Sequence, residues 1–226
     1  VKTICGPNDD RTPSFDAKVG RLSVKGKHLG CTATMISDSC AITAGHCEEV
    51  LEIAEFNTPA SVDGQPQASA LEDVYEIDQT SISKENAGPG KDWAVFKFKR
   101  NEITGKLPGE LQGHYDVSFK TPKRGIELVI TGYGRDTADA DRNFAQQTNS
   151  GQLKGVGSIW RGKSVLEHTV DTMGGNSGSS ILNAENDEII GIHTHGGCHS
   201  SGGANMGTLI SKHPELKAAI KACLGR

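Results

Sequence analysis

Apolar residues in this chain come in short alternating runs, cut by glycine, proline and polar clusters. In Asp92–Phe98, Ala94, Phe96 and Phe98 fall on one face and Val95 and Lys97 on the other, the period of a half-buried strand. Comparable runs cover 31–36, 40–43, 125–134, 152–160, 164–170, 179–183, 188–193 and 206–210. Breakers such as Gly64 with Pro66, Gly88-Pro89-Gly90 and Pro108-Gly109 stand between the segments. Helical spacing is convincing only in Ser211–Leu224, where Leu216, Ala219, Ile220, Cys223 and Leu224 share a face and Pro214 sits in the first turn. Glu48–Phe56 could add a short helical turn. An all-β fold closed by a C-terminal helix follows. At 226 residues it has room for one β unit or two small barrels, and the polar stretch Asn101–Gly113 is the natural boundary.

The 28 glycines and the aromatic content of only 5% suit a turn-rich β protein. A net charge of −4 gives no electrostatic case for nucleic acid or for an anionic membrane surface. No apolar run is long enough for a membrane-spanning helix. The chain opens on Val1 without a charged-then-apolar leader, so a mature product is expected, its signal and pro-segment removed. Six cysteines without a Cys-x-x-Cys pair point to disulfides in an oxidising compartment, hence to secretion. Val1–Arg21 reads as irregular, tied down by Cys5, and 136–150 as an exposed polar loop.

The chemistry concentrates in Asp171-Thr-Met-Gly-Gly-Asn-Ser177-Gly-Ser-Ser180. A serine hydroxyl is a weak nucleophile at neutral pH and needs a base, an orienting carboxylate and N–H donors for the developing oxyanion. Gly174, Gly175 and Gly178 let the backbone turn sharply enough to aim the amides of Gly175 and Ser177 at one point. Alone, such a loop is more often a plain Gly/Ser turn. Candidate partners precede it: His46 in Thr43-Ala-Gly-His-Cys47, and Asp92 emerging from the 88–90 breaker cluster. A lone histidine is more often structural, and an aspartate after Gly-Lys is usually a turn residue; together, in the order His, Asp, Ser, they match one of the known triad orders. His193, His195 and His199 beside Cys198 raise the question of zinc, but no second thiolate or carboxylate stands at a ligand offset, and no acidic loop has calcium spacing. No metal and no cofactor is expected.

Thr-Ala-Gly-His-Cys and Gly-Asn-Ser-Gly-Ser resemble the histidine and serine motifs of the chymotrypsin-fold serine proteases, and Cys31 precedes Cys47 at the spacing of that family's histidine-loop disulfide. The resemblance implies two antiparallel six-stranded Greek-key barrels and a C-terminal α-helix. Residues 1–112 would carry His46 and Asp92, and 113–226 Ser177 and the specificity pocket. It implies His46 as base, Asp92 as its orienting acid, Ser177 as nucleophile, and Gly175 with Ser177 as oxyanion donors. It also implies the Cys31–Cys47 bridge. The other four cysteines allow three connectivities; Cys40–Cys223 with Cys5–Cys198 is preferred, because in this fold the strand leading to the histidine lies near the C-terminal helix.

Within the family the chain is similar to bacterial glutamyl endopeptidases, through Val1, Asp171-Thr172, Ile192-His193-Thr194-His195-Gly196-Gly197 and Asn205-Met-Gly-Thr208. That likeness assigns Val1, Thr172 and His193 to a pocket for a glutamate carboxylate, aspartate being cut more slowly; His195 and His199 offer a second possibility. A buried carboxylate needs such donors or positive charge. His193 could instead be a satisfied core histidine. Asp171, six residues before Ser177, is where trypsin holds the acid that selects Arg or Lys, so cleavage after basic residues is the alternative. A non-catalytic binding homologue is a third reading. Polypeptides are the expected partners of a monomeric enzyme. Departures from the family pattern are Ser180, where proline is usual, and Cys40, Cys198 and Cys223.

Overall fold

The alternating runs pair with their neighbours and close on themselves, so that most strand edges are covered. The computed structural model describes residues 3–226; Val1, and with it the expected role of its amine, lies outside the described residues. The first barrel comprises β1 (Val19–Ser23), β2 (Thr32–Met35), β3 (Cys40–Thr43), β4 (Ile53–Glu55), β5 (Val74–Asn86) and β6 (Asp92–Phe98), closed in the order β1-β2-β3-β6-β5-β4. The second comprises β7 (Glu127–Gly132), β8 (Gln147–Ser158), β9 (Gly162–His168), β10 (Ser180–Asn183), β11 (Glu188–His195) and β12 (Asn205–Leu209). Its order is β7-β8-β9-β12-β11-β10, with β7 and β10 pairing to close it. The same wiring thus occurs twice, although no internal repeat is visible in the sequence. All twelve strands pair antiparallel, and the chymotrypsin-like fold expected from the motifs is present.

Each barrel is held by its inward side chains. Phe56, Tyr75, Phe96 and Phe98 meet edge-to-face in the first, with ring centroids 5.3–6.3 Å apart. The second has an aliphatic core of Leu128, Ile130, Leu153, Leu166, Val170, Ile181, Ile190 and Leu209. Along β6 only Lys97 is exposed; Val95, on the expected outer face, is buried as well. The cause is α2 (Pro214–Leu224), which packs on β6 with Leu216 and Ile220 in the shared core.

The termini cross over. Thr12 and Pro13 pair with Thr148 and Gln147 of β8, so the N-terminal segment lies on the second barrel, while α2 lies on the first. Cys5–Cys198 and Cys40–Cys223 staple these crossings and Cys31–Cys47 closes the histidine loop, the pairing expected from the sequence. The expected division after residue 112 falls in the connection between Phe98 and Glu127, directly after the short helix α1 (Pro108–Gln112).

Several local expectations need correction. Helical turn and strand share 45–55: a 3-10 turn covers Gly45–Val50, and β4 follows. Residues 136–150 are an exposed loop only in part: Thr137, Ala138, Ala140 and Asp141 are exposed as expected, but the segment after them is held. Asn143 donates to Gly64 O at 2.8 Å, and the Gln146 side-chain amide donates to Asp16 O at 2.9 Å and to the Tyr133 hydroxyl at 3.1 Å; the Gly64 and Asp16 bonds tie 143–146 to the first half of the chain. The first 21 residues are not all irregular, since β1 begins at Val19.

Candidate active site

Asp92 is the first residue of β6 and is fully buried, whereas the His46 side chain is 33% exposed. His46 sits in the 3-10 turn after β3, and the carboxylate grips it twice. The His46 backbone N–H donates to Asp92 Oδ1 at 3.0 Å, and its ring Nδ1 lies 2.5 Å from Oδ2. A carboxylate can only accept here, so Nδ1 carries the proton and Nε2 is left as the basic atom. The second barrel holds the other side of Asp92, since the Thr208 hydroxyl on β12 donates to Asp92 O at 2.7 Å.

The nucleophile loop is pinned from the first barrel in return. Thr32 N–H donates to Ser177 O at 2.9 Å and the Thr32 hydroxyl to Gly175 O at 2.9 Å. Gly178 lies so close to β2 and β3 that a Cβ there would come within 1.9 Å of Thr43 Oγ1. Ser177 is partly exposed, and its backbone carbonyl is 3.8 Å from Sγ of Cys47, the neighbour of His46. Among the described residues no hydrogen bond joins the Ser177 hydroxyl to the His46 ring; such contacts are often long until substrate tightens them. Ser180, the departure from the family's proline, accepts from the Thr34 hydroxyl at 2.9 Å across the barrel interface.

Gly175 has φ +106°, and a Cβ there would lie 2.2 Å from Tyr133 O. The carbonyl of Gly174 accepts from Arg135 N–H at 2.8 Å. Because a trans peptide directs its C=O and N–H oppositely, fixing that carbonyl aims the Gly175 N–H the other way. Among the described residues neither the Gly175 nor the Ser177 amide has an acceptor. Two free donors flanking a nucleophile candidate form a site for developing negative charge.

Beside this loop lies a buried histidine pair. His193, on β11, is 4% exposed, and its Nδ1 is 3.1 Å from Nε2 of the fully buried His168 on β9. Val170 N–H donates to His168 Nδ1 at 3.1 Å, so that nitrogen is an acceptor. Burial pushes His168 down to about 3 and His193 well below the ordinary imidazole value. With both rings neutral, His168 Nε2–H donates to His193 Nδ1, and His193 keeps its proton on Nε2. His168 escaped the sequence reading, yet it stands in phase with Leu166 on a recognised strand, and a polar residue at a core position is a signal.

The remaining candidates separate. Thr172 is fully buried and its hydroxyl lies 3.2 Å from both Thr3 Oγ1 and Asn205 Nδ2; the Thr3 hydroxyl donates in turn to Thr172 O. Asn205 also donates to Thr3 O and Val170 O, while its Oδ1 accepts from Gly197 and Cys198 N–H, knitting this wall together. Asp171 faces elsewhere: its two oxygens accept from Cys5 N–H at 2.7 Å and Asp10 N–H at 3.0 Å. Burial raises its carboxyl, with those amides opposing. His195 lies beside the triad candidates, its ring 5.8 Å from that of His46 and its Nδ1 4.0 Å from Asp92 Oδ2. His199 is exposed and contacts Ser201, and Cys198 is in a disulfide, so it offers no thiolate to a metal. The same holds for Cys31 and Cys47, which lie close to His46.

The family described as Trypsin matches residues 6–216. A solved Glu endopeptidase in complex with MPD is similar over 99% of this chain and 100% of its own, at 20% identity and TM-score 0.73. The protease Anisep from Arthrobacter nicotinovorans is similar over 96% and 100%, at 15% identity and TM-score 0.69. Neuropsin, a serine protease expressed in the limbic system of mouse brain, is similar over 94% and 96%, at 16% identity and TM-score 0.68. No curated protein matches in sequence.

Proposed function

The chain belongs to the trypsin family of serine proteases, and from that premise we propose that it is a secreted endopeptidase that cleaves after glutamate, aspartate more slowly. The observation that carries the chemistry is the 2.5 Å contact of His46 Nδ1 with buried Asp92, which leaves Nε2 free to take a proton. Ser177 Oγ attacks the peptide carbonyl while its proton passes to His46 Nε2. The oxyanion settles between the Gly175 and Ser177 amides. The C–N bond then breaks as His46 returns the proton to the leaving amine. Water attacks the acyl-enzyme by the same route and frees Ser177. Asp92 stabilises the imidazolium without taking the proton. Three disulfides suit an extracellular setting.

The glutamate reading rests on the tautomer chain that leaves His193 with a proton on Nε2. A neutral N–H can meet an arriving carboxylate, and the carboxylate's charge then favours protonation of the ring. Thr172 shapes the wall behind it. Asp171 weighs against cleavage after Arg or Lys, since both its oxygens are already bonded to the N-terminal segment.

Initial rates on matched peptides ending in Glu, Asp, Arg, Lys, Gln or Leu test this, alongside labelling of Ser177 by an organofluorophosphate. Labelling with a preference for Glu is expected. Preference for Arg or Lys would overturn the pocket and leave the triad, whereas a chain inert to both substrate and label would be a binding homologue.

A further inference from the structure

Arg11 is a guanidinium out of place. Its side chain is 2% exposed, on a segment that the sequence marks as irregular, and burying such a charge is costly unless it is fully engaged. Asp9 holds it through Nε at 2.9 Å and Nη2 at 2.6 Å. Burial would raise the Asp9 carboxyl, but the hydrogen bond and charge of Arg11 outweigh it and hold the group below its ordinary value. Nη2 reaches further and donates to Arg135 O at 2.9 Å. Among the described residues Nη1 is buried without a partner. It abuts the nucleophile loop: a Cβ on Gly134 would lie 2.5 Å from Arg11 Nη1 and 2.0 Å from Asn176 Oδ1, so those two polar atoms crowd the same small space.

Arg135, whose carbonyl Arg11 grips, is the residue whose N–H holds the Gly174 carbonyl and thereby turns the Gly175 amide outward. Earlier in the same loop, Asp171 is fixed by the amides of Cys5 and Asp10, and Cys5 is bonded to Cys198. The segment Cys5–Arg11 therefore holds the loop that carries Ser177 at two points before the nucleophile, at Asp171 directly and at Gly174 through Arg135.

We propose that Cys5–Arg11 is an internal clamp on the oxyanion site, with Arg11 as the positioning residue that holds Arg135, and through it the Gly174–Gly175 peptide, in the orientation that presents the Gly175 N–H. The proposal rests on the peptidase reading above. Without the guanidinium, the Arg135 backbone loses its anchor and the Gly174–Gly175 peptide is free to rotate, which withdraws one oxyanion donor part of the time. Ground-state binding, governed by the pocket wall, is left alone. Asp171 belongs to the clamp as a backbone acceptor.

The test is Arg11→Met, with Asp9→Asn as a second, milder variant that keeps the guanidinium but loosens its fork. Steady-state kinetics on the best peptide and the inhibition constant of the matching peptide aldehyde, which needs the oxyanion site, are read together with the folded fraction. A fall in kcat of about tenfold to a hundredfold is expected for Arg11→Met, short of the loss caused by deleting a donor outright. KM stays within about threefold, and the aldehyde weakens in step with kcat. Asp9→Asn gives a smaller change of the same pattern, and decides the matter should Arg11→Met not fold. Unchanged kcat in either folded variant overturns the clamp, as does a loss that follows the folded fraction with aldehyde affinity per folded molecule intact. If the unaltered protein neither cleaves peptides nor binds aldehyde, it is the peptidase reading that has failed.

Discussion

The two barrels share one strand order but fill it differently. The first is packed by an aromatic cluster, and its catalytic candidates, His46 and Asp92, stand at strand ends, outside that cluster. The second is aliphatic, yet its interior admits two neutral histidines, one behind the other, next to the nucleophile loop. Closure of the sheet satisfies the backbone equally in both. What differs is where polar groups can be tolerated. A barrel whose interior is only packing can be read as scaffold; one that buries a hydrogen-bonded imidazole pair is, on the proposal above, part of the glutamate pocket.

Substitutions can break that contrast. Ser177→Ala should lower kcat by about 10^4-fold or more while leaving thermal unfolding unmoved, measured by burst-free turnover and calorimetry. Residual activity near that of the unaltered chain would remove the nucleophile from the second barrel. Phe96→Ala, in the middle of the aromatic cluster, should cost about 3–5 kcal/mol in denaturant unfolding with the order of substrate preference unchanged. A shifted preference there would mean that the first core is more than scaffold.

His168→Phe sharpens the comparison through pH. Its folded value of about 3 lies below the ordinary 6.5. The unfolded chain therefore binds a proton as pH falls below 6.5, which the folded chain refuses down to about 3, and stability declines across that window. Each such proton steepens the slope by about 1.4 kcal/mol per pH unit. Removing the ring should remove that share of the acid lability, seen as a flatter plot of unfolding free energy between those limits. The same variant deprives His193 Nδ1 of its donor, so the Glu over Gln ratio of kcat/KM should drop by about fivefold, the worth of roughly one hydrogen bond. An unaltered ratio would make the pair structural only.

The sequence reading was strongest where one face of a strand stays in phase, as in β3, β6 and β10, and where chemistry is written in adjacent residues, as around His46 and Ser177. It failed for β5, thirteen residues long but mostly polar and with few buried positions, with a register shift between Asp78 and Ser83, because nothing in its pattern favours a strand over a loop. β1 was hidden by Arg21, a charge in a strand buried along its whole length, which faces away from the core, pairs with Glu55 at 3.0 Å and is covered by the carbonyls of Gln67 and Phe144. Arg11 acts on Arg135, distant in sequence, so no local spacing announces it. Asp171 was the instructive case: its offset from Ser177 suggested a specificity role, but partners at 5 and 10 turned it away.

The crossed termini have a consequence for how this molecule ages. Cys5–Cys198 and Cys40–Cys223 each join a residue before α1 to one after it. A single cut in the connection between Phe98 and Glu127 would therefore release nothing. The nicked molecule would travel as one species on a non-reducing gel and fall into two pieces only when its thiols were regenerated, so damage from its own activity would be recorded in the chain and withheld from the fold.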